Sequence, residues 1–142
     1  FIKTKERTIT NKMLRDMIGF TKKTRSTIRL CLHRSIHEKH HSMLIIDYKF
    51  NLNKPHFHFK TSETHQVLIG KLAVIVFSKK NGEILKSYVL DGKNIFLDRL
   101  DPNECHLLLP LTNYVIYHET NSGKFSRSKP DMYFPKWYKN FN

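Results

Sequence analysis

Cysteine is scarce in this sequence: Cys31 and Cys105 are the two in 142 residues. They form no CxxC pair, and two thiols in a chain this long do not make a disulfide framework, so a reducing cytoplasm suits them. Long apolar runs are missing too. No stretch reaches the length of a membrane-spanning helix, so no membrane partner is expected. No signal-peptide pattern is visible, although the sequence opens on Phe1 rather than methionine. Acidic residues are few, 12 against 25 Lys and Arg, which leaves a formal net charge of +13. That excess lacks any block: it is spread over residues 3–34, 71–93 and 124–139, with no run of five basic residues. No recognition helix or base-stacking motif accompanies it, so nucleic acid ranks last among the expected partners. A solvated basic surface and an attraction for phosphate or nucleotide sugars are the readings left. Internal repeats and low-complexity segments are absent as well.

What is present is a globular composition, 39% apolar and 12% aromatic, in a length suited to one core. Residues 1–9 are polar and basic and read as a short edge strand at most. Residues 10–20 read as a helix. Thr10 is placed to cap it, Met13, Leu14, Met17 and Ile18 recur at helical spacing, and Gly19 marks its expected end. Residues 21–42 are polar and rich in Arg and His, and such a length is expected to pack over something, such as the mouth of a pocket. From Met43 the texture changes to short strands at 43–48, 55–59, 64–69, 72–77, 84–90, 94–97, 106–109 and 114–119. Gly70 and Lys71 read as a tight hairpin, Asn81 with Gly82 as a turn, and Asp91 with Gly92 as another. Repeated short strands predict an all-β antiparallel barrel or sandwich, residues 43–142, with residues 1–42 packing on it as one domain overall. The tail carries Tyr133, Phe134, Trp137, Tyr138 and Phe141, expected to lie back across the barrel or across a subunit partner, which leaves a homodimer open.

The chemistry concentrates at 55–63. On a strand, residues two apart share a face, so His56 and His58 project together, and Glu63 can return beside them after a short turn. Two imidazoles and a carboxylate suit Fe, Mn, Zn, Ni or Co. His106 is the best candidate for a fourth ligand from a second strand. Cys105, its neighbour, should point the other way, into the core. Without a cation, such a group facing a barrel interior would be costly to bury. Arg25, Arg29 and Arg34 fit phosphate or a solvated basic face equally well. His37, His40, His41 and His65 read as solvent-facing. His118 reads as a satisfied barrel histidine, and Trp137 as a packing anchor. Tyr48 and Tyr117 are placed for acid–base work.

The spacing His-x-His-x4-Glu-x6-Gly, met by His56, His58, Glu63 and Gly70, resembles the first motif of the cupin superfamily. Pro102 to His106 resembles the second, with Asn103 where glycine is usual; asparagine tolerates a left-handed backbone. The resemblance implies a small jelly-roll β-barrel with a short N-terminal helix, holding one divalent metal ion (Fe, Mn, Zn or Ni) through His56, His58, Glu63 and His106. Over residues 10–138 the order of features is similar to the WbuC-type small cupins. It runs from an N-terminal helix and an Arg/His-rich segment ending in Leu32-His33 to Phe134-Pro135-Lys136-Trp137. This implies a cytoplasmic protein of bacterial surface polysaccharide (O-antigen or capsule) biosynthesis whose partner is a sugar or nucleotide sugar. Arg29, His33 and His41 fall at the implied substrate-binding rim, and His33, Tyr48 and Tyr117 are the candidates for catalysis. Arg29 and Cys31 stand where the family has asparagines, and His41-Ser42 where it has a Gln-Arg pair, so the rim is altered while the metal set is kept. The expected activity is a metal-dependent sugar isomerase or epimerase; the alternatives are a non-catalytic sugar-binding or regulatory cupin and an Fe(II) dioxygenase.

Overall fold

The computed structural model describes residues 2–3, 8–49, 51, 53–123 and 130–141, with backbone only at 2–3 and 139–141. The strands are β1 (Ile2–Lys3), β2 (Ile28–Cys31), β3 (His40–Tyr48), β4 (Glu63–Ile69), β5 (Leu72–Phe77), β6 (Ile84–Leu90), β7 (Leu97–Leu100), β8 (Cys105–Pro110) and β9 (Tyr114–Ser122). They build a six-stranded sheet ordered β1-β2-β3-β9-β4-β7 and a three-stranded sheet ordered β6-β5-β8. Pairing is antiparallel apart from β1 on β2. The expected all-β fold with one helix is what the chain forms.

Between the sheets lies a core of Met43, Ile45, Val67, Leu72, Val74, Val76, Leu90, Leu100, Leu108, Val115 and Tyr117. The alternate residues of β3, Leu44 and Ile46, face the other way and meet Met17, Ile28, Leu30 and Ile116. That second layer belongs to the helix α1 (Asn11–Thr24). A strand covered on both faces needs apolar side chains at successive positions, which is why residues 43–46 read as an unbroken run. α1 is capped as expected, the Thr10 hydroxyl accepting from the Met13 N–H at 3.3 Å. It does not stop at Gly19. It runs to Thr24, because Arg25 takes the left-handed conformation (φ 54°) and its N–H closes the last turn on the Thr21 carbonyl.

Three further expectations are corrected. Residues 28–31 do not lie over the barrel as part of a polar segment; they are β2, a strand of the larger sheet. Gly70 and Lys71 do not close a hairpin, since β4 and β5 belong to different sheets. Gly70 (φ 88°) carries the chain across, so close to the 112–114 backbone that a Cβ would sit 2.5 Å from Thr112 Oγ1 and 2.7 Å from the Tyr114 carbonyl oxygen. The strand expected at 94–97 lies later, at Leu97–Leu100. Asn81 and Gly82 do join β5 to β6. In the tail, Tyr133 packs on Phe59 and Phe57, and Trp137 on Phe77, its Nε1–H donating to the Ser78 carbonyl at 3.0 Å. The expectation for the Phe141 side chain lies outside the described residues.

Candidate metal centre

Two separate stretches of chain are zipped together at the site. His56 and His106 form an isolated bridge, His56 N–H donating to the His106 carbonyl at 3.0 Å and His106 N–H to the His56 carbonyl at 2.8 Å. Asn103 (φ 73°) makes the turn before β8 and donates its N–H to the His58 carbonyl. The turn thus fastens the second motif to the first. Glu63, the first residue of β4, completes the group. One donor atom from each of His56, His58, Glu63 and His106 lies within 4.8 Å of the others.

The imidazoles share one orientation. Each Nδ1 faces a backbone carbonyl: His56 that of Lys54 at 2.8 Å, His106 that of Glu104 at 3.0 Å, and His58 that of Asp131. A carbonyl only accepts, so Nδ1 carries the proton and each Nε2 is left with a lone pair for the centre. The Nε2 atoms of His58 and His106 stand 3.2 and 3.1 Å from the Glu63 oxygens. They are buried and not aligned for a hydrogen bond. Orphaned lone pairs converging on a buried carboxylate are costly unless a cation satisfies them.

The electrostatics agree. Burial, and then the neighbouring His106, push His56 down to about 4, so it is neutral as a ligand must be. Burial works against the Glu63 carboxylate, but His106 and His58 outweigh it and hold Glu63 well below the usual carboxylate range. Burial works against the His58 cation too, yet Glu63 raises His58 above its ordinary value. A metal ion bound there would compete with protons for the His58 lone pair.

The centre opens into a cavity of about 550 Å³ whose walls include Arg29, Asn53, Tyr117, Glu119, Asn121 and Phe134. Of the rim residues expected from the sequence, Arg29 and Tyr117 line it, and His33, His41 and Tyr48 are not among its lining residues. His33 and His41 instead stack on each other, centroids 4.2 Å apart and planes within 12°. Two histidines read as solvent-facing are buried: His41, and His65, fully inside. His65 Nδ1 lies 3.0 Å from Asp98 Oδ1, and its Nε2 3.9 Å from Glu119 Oε2. Asp98 also accepts from the Tyr88 hydroxyl at 2.7 Å.

Sequence reasoning passed over Glu119, though its signal was there: it shares a strand face with Tyr117 two residues before it. Burial first, then the nearby Glu63, raises Glu119 above the ordinary carboxyl value. Burial, and then Glu119, push the Tyr117 phenol far up, so it stays neutral. The cavity thus gathers Tyr117 and Glu119, two groups able to exchange protons, with the imidazole cluster. Cys105 is buried, with its thiol pushed up to about 11 by burial, as a core residue. Among the described residues no helix is long and apolar enough to cross a membrane.

No family model and no curated protein matches the chain. Solved structures do. The capsular polysaccharide assembling protein CapF from Staphylococcus aureus superposes with a TM-score of 0.64 at 17% identity, over 77% of this chain and 31% of CapF. Oxalate oxidase superposes with 0.51 at 15% identity, over 68% of this chain and 46% of its own. Oxalate decarboxylase from Bacillus subtilis, a protein with Mn(II) centres, superposes with 0.52 at 14% identity, over 63% and 23%. The chain thus spans about a third of CapF and under half of the other two. With its paired antiparallel sheets and a His/Glu cluster that could hold a metal ion, this chain has the cupin fold.

Proposed function

We propose that the chain is a divalent-metal cupin that acts on a sugar or nucleotide sugar in bacterial surface-polysaccharide biosynthesis, as an isomerase or epimerase. The observation that carries this reading is one cavity holding both parts of such chemistry. The first part is His56, His58, Glu63 and His106, in the tautomers a metal needs. The same cavity is lined by Tyr117 and Glu119, two groups able to exchange protons. A divalent ion (Fe, Mn, Zn or Ni) bound there would polarise adjacent carbonyl and hydroxyl oxygens and acidify the carbon between them. The chain's own residues do the rest. Glu119, held by Asn121 and facing His65, is the group to take or return a proton, and Tyr117 donates to a developing oxyanion. Arg29 offers a fork for a sugar carboxylate or phosphate.

The polysaccharide setting draws support from CapF, a capsular polysaccharide assembling protein, and from the WbuC-like order of motifs. A cytoplasmic location is compatible with two buried cysteines. The test is to incubate metal-loaded protein with candidate nucleotide sugars in D2O. Deuterium entering a sugar C–H is the expected result, reduced at least about 100-fold in Glu119→Gln, as for loss of a general base. Saturable binding with no exchange and no turnover for any of them would leave a sugar-binding module instead.

A further inference from the structure

Each imidazole of the centre is oriented by a carbonyl, but the carbonyls differ in origin. Those of Lys54 and Glu104 lie two residues from the histidines they hold. The carbonyl that holds His58 belongs to Asp131, 73 residues away. Local geometry therefore sets His56 and His106, while His58 depends on where the tail comes to rest.

One side chain fixes that resting place. The Asp131 carboxylate accepts from the N–H groups of Phe59 at 3.0 Å, Lys60 at 2.9 Å and Thr61 at 3.0 Å, and from the Thr61 hydroxyl at 3.0 Å. These are consecutive N–H groups of the loop between His58 and Glu63, so the carboxylate clamps the segment that joins two ligands. Phe57 and Tyr133 add a reciprocal backbone pair at 2.9 Å each way. The same stretch of tail contributes Met132 and Phe134 to the cavity wall.

We propose that Asp131 is a positioning residue of the metal centre. Its carboxylate latches the tail onto residues 59–61, and its own carbonyl then fixes the Nδ1–H and ring plane of His58, leaving Nε2 aimed at Glu63. The proposal rests on the reading of His56, His58, Glu63 and His106 as ligands. Asparagine keeps the size of the side chain but turns one accepting oxygen into a donor that faces a loop N–H group whichever way the amide is turned, so it weakens the latch as alanine does.

The experiment compares wild type, Asp131→Asn and Asp131→Ala in two measurements. The first is Co2+ titration followed by calorimetry and by its visible absorption bands. The second is 15N NMR of the imidazoles in the metal-free protein. The expected result is a loss of Co2+ affinity of about 10- to 100-fold in both variants, with altered absorption bands. The protected His58 Nδ1–H signal should disappear while those of His56 and His106 persist. Unchanged affinity would overturn the proposal. So would weakened affinity with the His58 signal intact, since lost charge alone would then account for it. If wild type itself binds no Co2+, the ligand reading fails separately, and the NMR comparison still reports whether Asp131 holds His58.

Discussion

Two groups of buried and half-buried histidines sit on this sandwich, and they are built differently. His56, His58 and His106 surround a carboxylate, with every Nδ1 tied to a carbonyl and every Nε2 turned inward. His33 and His41 stack face to face near Ser42, and burial and then His33 push His41 down. Both groups are rich in imidazole and poor in solvent. Only the first has a negative charge at its centre. Proximity and burial of histidines therefore do not distinguish the two groups; an enclosed carboxylate and a common orientation do.

The largest expected effect separates the groups outright. Glu63→Gln and His106→Ala should weaken divalent-metal binding by more than about 100-fold, beyond the range for residues that only support ligands. His33→Ala and His41→Phe should leave the dissociation constant within about 2-fold, close to calorimetric error. Equal losses in both groups would erase the distinction.

Next in size is the stabilisation by metal. At a free concentration 100 times Kd, binding should add about 2.7 kcal/mol, roughly 5–10 °C in melting temperature for a chain of this size. EDTA should reverse the rise. His41→Phe should show the full rise and Glu63→Gln none.

A smaller effect is in pH, and it has opposite sign in the two groups. In metal-free protein His58 is raised, so its contribution to stability is present below the unfolded value of about 6.5 and is lost as the pH rises through its folded value. His41 is lowered, so its contribution is present above about 6.5 and is lost as the pH falls through its folded value. In urea titrations across that range with EDTA present, His58→Gln should flatten the alkaline limb and His41→Phe the acid limb. Both variants acting on one limb would contradict the assignment.

The smallest effect is at Cys105, beside a ligand but facing the core. Cys105→Ala should change metal affinity by less than about 2-fold. The native thiol, held up at about 11, should not react with a thiol reagent at pH 8 until the protein unfolds.

The grouping of His56, His58 and Glu63 is legible because its spacing is local. His56 and His58 are two apart, Glu63 follows within one turn, and β5 and β6 are bounded by turn residues that force a reversal. What the sequence hid is what depends on distant chain. β2 is four residues inside a polar segment and becomes a strand because β3 offers it an edge. Gly70 has the signature of a hairpin, and only the packing of the two sheets turns it into a crossing. His65 looked solvent-facing, yet it shares the inward face of β4 with Glu63 and finds its partner, Asp98, 33 residues on. Asp131 sits in a tail whose aromatics drew attention, while its carboxylate reaches loop N–H groups some 70 residues back.

The central claim is tested most directly by metal content. Protein purified without added metal should be assayed by elemental analysis beside His106→Ala and Glu63→Gln prepared identically. The account predicts about one divalent metal ion per chain in wild type, as for one four-ligand site, and close to none in either variant. A wild type that takes up no metal even after loading, or variants that hold as much as wild type, would contradict it.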